Sequence, residues 1–293
     1  MTRTDWIMIV TLSILWGGSF LFVEIGLEAL PPLTLVWCRV AIAALVLGLA
    51  LPLLGLSVPG LRHWPALMGM AVLNNIAPFS LIAVAQGDIT GALASILNAT
   101  TPLFTLIVAH VLTADERITR GKAFGLGLGF GGVVVMLAGR DMGGDLIAKL
   151  CSLAAALSYG FAGVYGRRFR RMGLAPLSTA FGQVAASTVL LAPVVLVTVA
   201  PWDVVWPGAR VVLSIVALAV LSTALAYAIF FNLLARVGPT RLSVVTFLIP
   251  ISATVLGVTF LSEHLQMQHL AGFALICVGL VMIDGRFRWG KRI

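Results

Sequence analysis

Apolar residues fill this chain in stretches of roughly twenty, separated by short segments that carry charge, glycine or proline. Ten such stretches can be drawn, at about 6–27, 33–54, 64–84, 91–112, 121–138, 146–166, 176–199, 211–234, 240–261 and 268–284. A helix rises 1.5 Å per residue, so about 20 apolar residues span the roughly 30 Å hydrocarbon core of a bilayer. The breaks read as turns: Pro31-Pro32, Ser57-Val58-Pro59-Gly60, Gly143-Gly144 and Pro207-Gly208. No connection is long enough to hold a soluble domain. The pattern predicts an all-α integral membrane protein with ten transmembrane helices.

The second part of the chain repeats the first. Ser95 and Pro102 return as Ser243 and Pro250 at an offset of 148, and Glu116, Gly125 and Gly132 return as Glu263, Gly272 and Gly279 at 147. Weaker matches precede them. Pro32-Leu33 and Val40-Ala41 correspond to Pro176-Leu177 and Val184-Ala185 at 144, and Trp16-Gly17 to Tyr159-Gly160 at 143. Internal repeats decide the fold before any single motif does. Here they divide the chain into residues 1–140 and 141–293, five helices each. Five is odd, so the second half enters the membrane from the opposite side. Such inverted repeats are a frequent plan of secondary transporters.

Composition agrees. Of 293 residues, 60% are hydrophobic and 10% charged, against about 25% charged in soluble domains. The net charge of +8 does not signal nucleic-acid binding, because the arginines punctuate apolar runs and build no basic face. Cys38, Cys151 and Cys277 lie inside apolar runs and read as packing residues, with no metal site or disulfide framework. The first run is expected to stay as a span and not to be removed as a signal. Lys and Arg gather in alternate connections. Arg62, Arg117, Arg120, Lys122, Arg167, Arg168, Arg170, Arg171, Arg236, Arg241 and the C-terminal cluster share the side of Arg3, and the other side has Arg140, Lys149 and Arg210. The positive-inside rule places both termini in the cytoplasm.

These residues resemble the ten-helix EamA-type carriers of the drug/metabolite transporter superfamily. The resemblance is carried by Leu15-Trp16-Gly17-Gly18-Ser19-Phe20 and by the blocks Pro102, Glu116, Gly125, Gly132 and Pro250, Glu263, Gly272, Gly279. It covers nearly the whole chain and implies export of small metabolites from the bacterial cytoplasmic membrane. The chain is most similar to bacterial amino-acid exporters, the aromatic ones included. Other members carry nucleotide sugars, sugar phosphates or drugs.

Polar groups at membrane depth tend to face the bundle interior. Helical spacing groups Asn74 with Pro78 and Asn75 with Phe79 on the third span, and Asn98, Thr101, Pro102 and Thr105 on the fourth. Ser243, Thr246, Pro250 and Thr254 form the matching stripe on the ninth, Thr223, Tyr227 and Phe231 one on the eighth, and Ser152 and Tyr159 one on the sixth. The expected substrate site joins Trp16, Asn74, Asn75, Pro78, Phe79, Asn98, Thr101, Tyr159, Tyr227 and Thr246. Pro102 and Pro250 are expected hinges. Each has a structural alternative: hydroxyls bond their own helix, and prolines make fixed bends. Gly121, Gly125, Gly132, Gly272 and Gly279 point to close helix packing, within the bundle or in a dimer.

Charged side chains within spans are few. Arg39 enters the second span by roughly 9 Å, with three readings open: snorkelling, pairing with Glu24, or holding an anionic group of the substrate. Asp115 and Glu116 are expected to pair with Arg117 and Arg120, Asp284 with the basic tail, and His110 is a weak candidate relay. No Asp or Glu occupies mid-span, so downhill transport is expected ahead of proton coupling. Without a mid-membrane cluster of Lys or Arg, phosphorylated substrates lack partners. A neutral or zwitterionic small molecule, such as an amino acid or related metabolite, fits. No catalytic residue set, metal site or cofactor is expected, since the histidines are scattered and no Walker loop is present. The rival readings are a proton-coupled exporter of other metabolites or drugs and, more remotely, a non-transporting receptor or assembly subunit. The partners expected are the substrate and the lipid bilayer, with no nucleic acid, for a monomer or homodimer.

Overall fold

The computed structural model describes residues 1–114, 116–137, 146–198 and 206–283. Among them every regular element is helical. Ten of them are long: α1 Arg3–Leu27, α2 Pro32–Leu53, α3 Leu61–Ala85, α4 Gly91–Leu112, α5 Arg120–Leu137, α6 Leu146–Arg171, α7 Pro176–Thr198, α8 Gly208–Val237, α9 Val244–Leu261 and α10 Met267–Ile283. The first nine have 18 or more residues and α10 has 17, still enough to cross a bilayer core. Asp284, the basic tail, Arg140 and Asp115 lie outside the described residues. The sequence places helix starts well. Thr2 and Asp5 form a reciprocal capping box at α1, and Pro32 occupies the first turn of α2, where its missing N–H costs nothing.

Asp5 in α1 pairs with Arg236 at the end of α8 at 2.9 Å, and Glu28 just beyond α1 pairs with Arg210 near the start of α8 at 3.2 Å. These contacts mark the two ends of the bundle. The near end carries the N-terminus, and the far end lies opposite.

Helix contacts follow the same pattern as the sequence offsets. The contact of α1 with α9 has its image in α6 with α4, that of α1 with α8 in α6 with α3, and that of α3 with α7 in α8 with α2. The pairs α2–α7 and α5–α10 are their own images. The glycines obey the same exchange. A Cβ on Gly132 would stand 2.5 Å from the Gly272 carbonyl oxygen, and one on Gly125 would stand 2.7 Å from that of Gly279. Gly17 rests on the backbone at Ala253, and Gly160 on the backbone at Thr105. Only residues without a side chain permit such approaches.

Two helices contain a wide π turn at the same repeat position, Val72–Ile76 in α3 and Val220–Leu225 in α8. Identical Ala-Val-Leu triplets at 71–73 and 219–221 bracket their starts. The cause differs between the two. Pro78 has no N–H for the Asn74 carbonyl four residues back, and the Ala77 N–H bonds Val72, five back. In α8 the Thr223 hydroxyl donates to the Leu218 carbonyl at 3.0 Å and occupies a backbone acceptor. Helix α4 is interrupted at Ala99–Thr100, and its second segment starts at Thr101.

Candidate functional site

The wide turns of α3 and α8 aim polar side chains at α7 and α2, midway along the bundle. Asn75 is fully buried. Its amide nitrogen donates to Ser187 Oγ at 3.1 Å, and its Oδ1 accepts from the Tyr227 hydroxyl at 2.9 Å. Asn74 donates to Gln183 Oε1 at 2.9 Å and to the Tyr227 oxygen at 3.3 Å. Beside them the Arg39 guanidinium lies over the Phe79 ring, 3.6 Å from its centroid, and its Nε donates to Thr223 Oγ1 at 2.9 Å. Tyr159 and Tyr227 lie within electrostatic reach of Arg39. Two adjacent hydrogen-bonded groups therefore join four helices from both halves. Amides that would be costly bare in hydrocarbon are satisfied by one another.

Of the residues picked out in the sequence, the structure brings Asn74, Asn75, Phe79 and Tyr227 into this set and explains Pro78 through the wide turn. Tyr159 is partly buried and packs against two groups of buried apolar side chains, one around Leu97 and Met136 and one around Val36 and Phe79. Trp16 makes none of these hydrogen bonds, but it packs against the buried cluster that holds Phe79 and Tyr227, its ring 5.4 Å from that of Phe230. Thr101 donates to the Asn98 carbonyl at 2.7 Å, and Thr105 donates to that of Thr101 at 2.8 Å. These hydroxyls thus serve their own helix. Thr246 lies in the first turn of α9, its N–H bonded to Ser243. Pro102 is the second residue of a restarted helical segment, and Pro250 lies inside α9 and is buried.

The structure bears on three expectations about charges. Arg39 neither snorkels nor pairs with Glu24. It is 8% exposed and turned inward. Glu116 pairs with Arg167 at the end of α6, a partner distant in sequence, in place of Arg117 or Arg120. His110 Nδ1 accepts from the Ile118 N–H at 3.3 Å, which ties it into the α4–α5 connection. Gln183 and Ser187 were missed. The available signal was the offset of 144, which makes Gln183 the repeat image of Arg39.

Both ends of the bundle carry a second polar cluster. At the far end Glu24 Oε2 accepts from the Gly91 N–H at 3.1 Å, and Glu263 Oε2 accepts from the Ala92 N–H at 3.0 Å, so two carboxyl groups share the first turn of α4. Gln86 lies beside them and donates to the Phe20 carbonyl at 2.9 Å. At the near end stands the Glu116–Arg167 pair.

Known proteins match this arrangement over its whole length. The EamA-like transporter family model fits residues 5–138 and again 146–284. YoaV of Bacillus subtilis, described as an uncharacterized transporter, is 24% identical over 94% of this chain and 94% of its own. A probable amino-acid metabolite efflux pump of Escherichia coli is 24% identical over 100% of this chain and 99% of its own. A solved crystal structure superposes with a TM-score of 0.70 at 22% identity, covering 99% of this chain and 100% of the other, which speaks for the fold. Ten apolar helices, a polar set between two repeat-related halves and two successive family matches lead to one conclusion: the chain belongs to the EamA-like transporter family and is a multi-pass membrane transporter.

Proposed function

We propose that this transporter exports small neutral or zwitterionic metabolites, foremost amino acids with apolar or aromatic side chains, across the bacterial inner membrane. It works by alternating access, the halves 1–140 and 141–293 moving against each other around a central site. The observation that carries this reading is the set of Asn74, Asn75, Gln183, Tyr227 and Arg39 held between the halves at mid-span. Amides and a phenol suit the polar groups of an amino acid, and Phe79, Tyr159 and Tyr227 offer ring faces to an apolar side chain. The Escherichia coli relative named as an amino-acid metabolite efflux pump supports the substrate class. The distribution of Lys and Arg favours a cytoplasmic near end, the side that carries the N-terminus. None of the side chains in the central set is acidic, which favours downhill exchange.

The test is counterflow in proteoliposomes without an ion gradient. Vesicles preloaded with single unlabelled amino acids are expected to accumulate labelled phenylalanine from outside. Equal accumulation whatever the preload, or none in vesicles holding folded protein, would remove the reading. A second reading, proton-coupled export, is favoured by the carboxyl pair Glu24–Glu263. It predicts that accumulation requires an imposed pH gradient and is abolished by Glu24→Gln.

A further inference from the structure

Arg39 is the charged member of the central set, and its hydrogen-bonding capacity is only partly used. The face of the guanidinium is taken by Phe79 and its Nε by Thr223. The Nη1 and Nη2 groups, with four N–H donors, have no acceptor among the described residues, and no carboxylate there lies within 4 Å of them. At 8% exposure this is a buried cation without an anion. Such an arrangement is costly and persists where something else supplies the counter-charge.

The repeat sharpens the point, because the same frame occurs twice. Arg39 corresponds to Gln183 at 144, while Phe79 corresponds to Tyr227 and Asn75 to Thr223 at 148. On the Gln183 side the neutral partners satisfy one another. Asn74 reaches Gln183 Oε1, and the Tyr227 hydroxyl reaches Asn75. On the Arg39 side the image of Gln183 is a cation and the image of Tyr227 is Phe79, which has no hydroxyl to contribute. One side of the repeated frame is neutral and satisfied; the other is positive, with its Nη1 and Nη2 groups unpaired among the described residues.

We infer that the Nη1–Nη2 edge of Arg39 is a carboxylate subsite, and that the transported molecule is recognised by its carboxylate, with Phe79 holding the plane of the fork. This rests on the central set being the substrate site. A carboxylate arriving in the guanidinium plane makes two parallel N–H···O bonds, which no lysine or glutamine at this position reproduces. Stacking on Phe79 fixes that plane before the ligand arrives. The side chains of the set include no acid to pair with an ammonium group, which therefore meets only neutral amide oxygens. Carboxylic acids without an amino group should bind, and amines without a carboxyl group should not.

The experiment measures ligand-induced thermal stabilisation of the purified, detergent-solubilised full chain, with phenylalanine, 3-phenylpropanoate and 2-phenylethylamine as probes. Counterflow is run in parallel on the same preparations. Phenylalanine and 3-phenylpropanoate are expected to raise the unfolding temperature, and 2-phenylethylamine to need at least tenfold higher concentration for the same effect. Arg39→Gln should lose the response to both acids, with apparent affinity down about 10- to 100-fold, the range for losing a charge-assisted pair. Its ligand-free form should unfold at a higher temperature than the parent, because the uncompensated charge is gone. Arg39→Lys, which keeps the charge without the fork, should fall between. A parent protein stabilised equally by the amine, or an Arg39→Gln variant that still responds to both acids, would overturn the subsite. Stabilisation by acids that depends on Arg39 but comes without counterflow would retain the subsite and remove the carrier reading instead.

Discussion

The two ends of the bundle carry residues at matching sequence offsets and are tied by opposite electrostatics. Glu24 near the end of α1 and Arg167 near the end of α6 are repeat images at an offset of 143, as are Glu263 and Glu116 at 147. At the near end Arg167 therefore meets Glu116 as an ordinary ion pair. At the far end Glu24 and Glu263 are both acidic, and two successive backbone amides of α4 hold them. Exposed N–H groups at a helix start favour negative charge, so the helix supplies at the far end what the arginine supplies at the near end. One exchanged residue turns a direct attraction into a contact that depends on the position of α4. The near-end contact holds by itself; the far-end contact holds only while α4 is in place.

The largest effect should come from removing the carboxylate that ties the far end. Glu263 is 7% exposed, and Glu263→Ala leaves the Ala92 N–H without its acceptor. A loss of about 1–3 kcal/mol is expected, read as a lower unfolding temperature in detergent. An unchanged temperature would mean that α4 does not need this bond. Next comes Glu24→Arg, which gives the far end the charge pattern of the near end. A directly paired far end should open less often, so the initial counterflow rate should fall several-fold with little change in half-saturating substrate. A rate at or above the parent's would end the comparison. The converse, Arg167→Glu, makes the near end like-charged. Its side chains are 35% and 37% exposed, so solvent limits the stability change to about 1 kcal/mol at most. Combining it with Glu116→Arg should restore the parent's unfolding temperature, and failure to do so would show that the ion pair does not account for the loss. The smallest change belongs to the rim pair of Glu28 and Arg210, 45% and 62% exposed. Arg210→Ala should stay within about 0.5 kcal/mol, which sets the scale for the other three.

Sequence reasoning reached the helices because they are written in local patterns. Twenty-residue apolar runs have one physical reading, and the offsets of 143 to 148 need no coordinates. The asparagines of α3 and the tyrosine of α8 were also legible, since amides and phenols in an apolar run have few places to go. Partners distant in the chain were not. Arg117 and Arg120 lie next to Glu116 in sequence, yet the connection turns Glu116 toward the end of α6. Arg39 looked shallow by residue count, but a long side chain pointing inward from α2 reaches the wide turn of α8. Asn98 and Thr101 share a helical face with Pro102, as the spacing requires, but the break at Ala99–Thr100 gives the Thr101 hydroxyl a local carbonyl to bond. A periodicity argument assumes an unbroken helix, and it fails where the helix stops.

The paired wide turns have a consequence for how this molecule can vary. A π turn holds one residue more than the α-helical turn it replaces, and here the same surplus occurs in both repeats, enforced by a ring without an N–H in one and by a hydroxyl in the other. Backbone shape and residue identity have thus come apart. The spelling at position 78 or 223 is free to drift, provided that some device keeps the extra residue looped out. A substitution that restored regular winding would shorten the loop by one residue and rotate everything beyond it by roughly 100°. Tyr227 or Phe79 would then face a different neighbour. The heritable element at the centre of this transporter is a miscount of one residue per half.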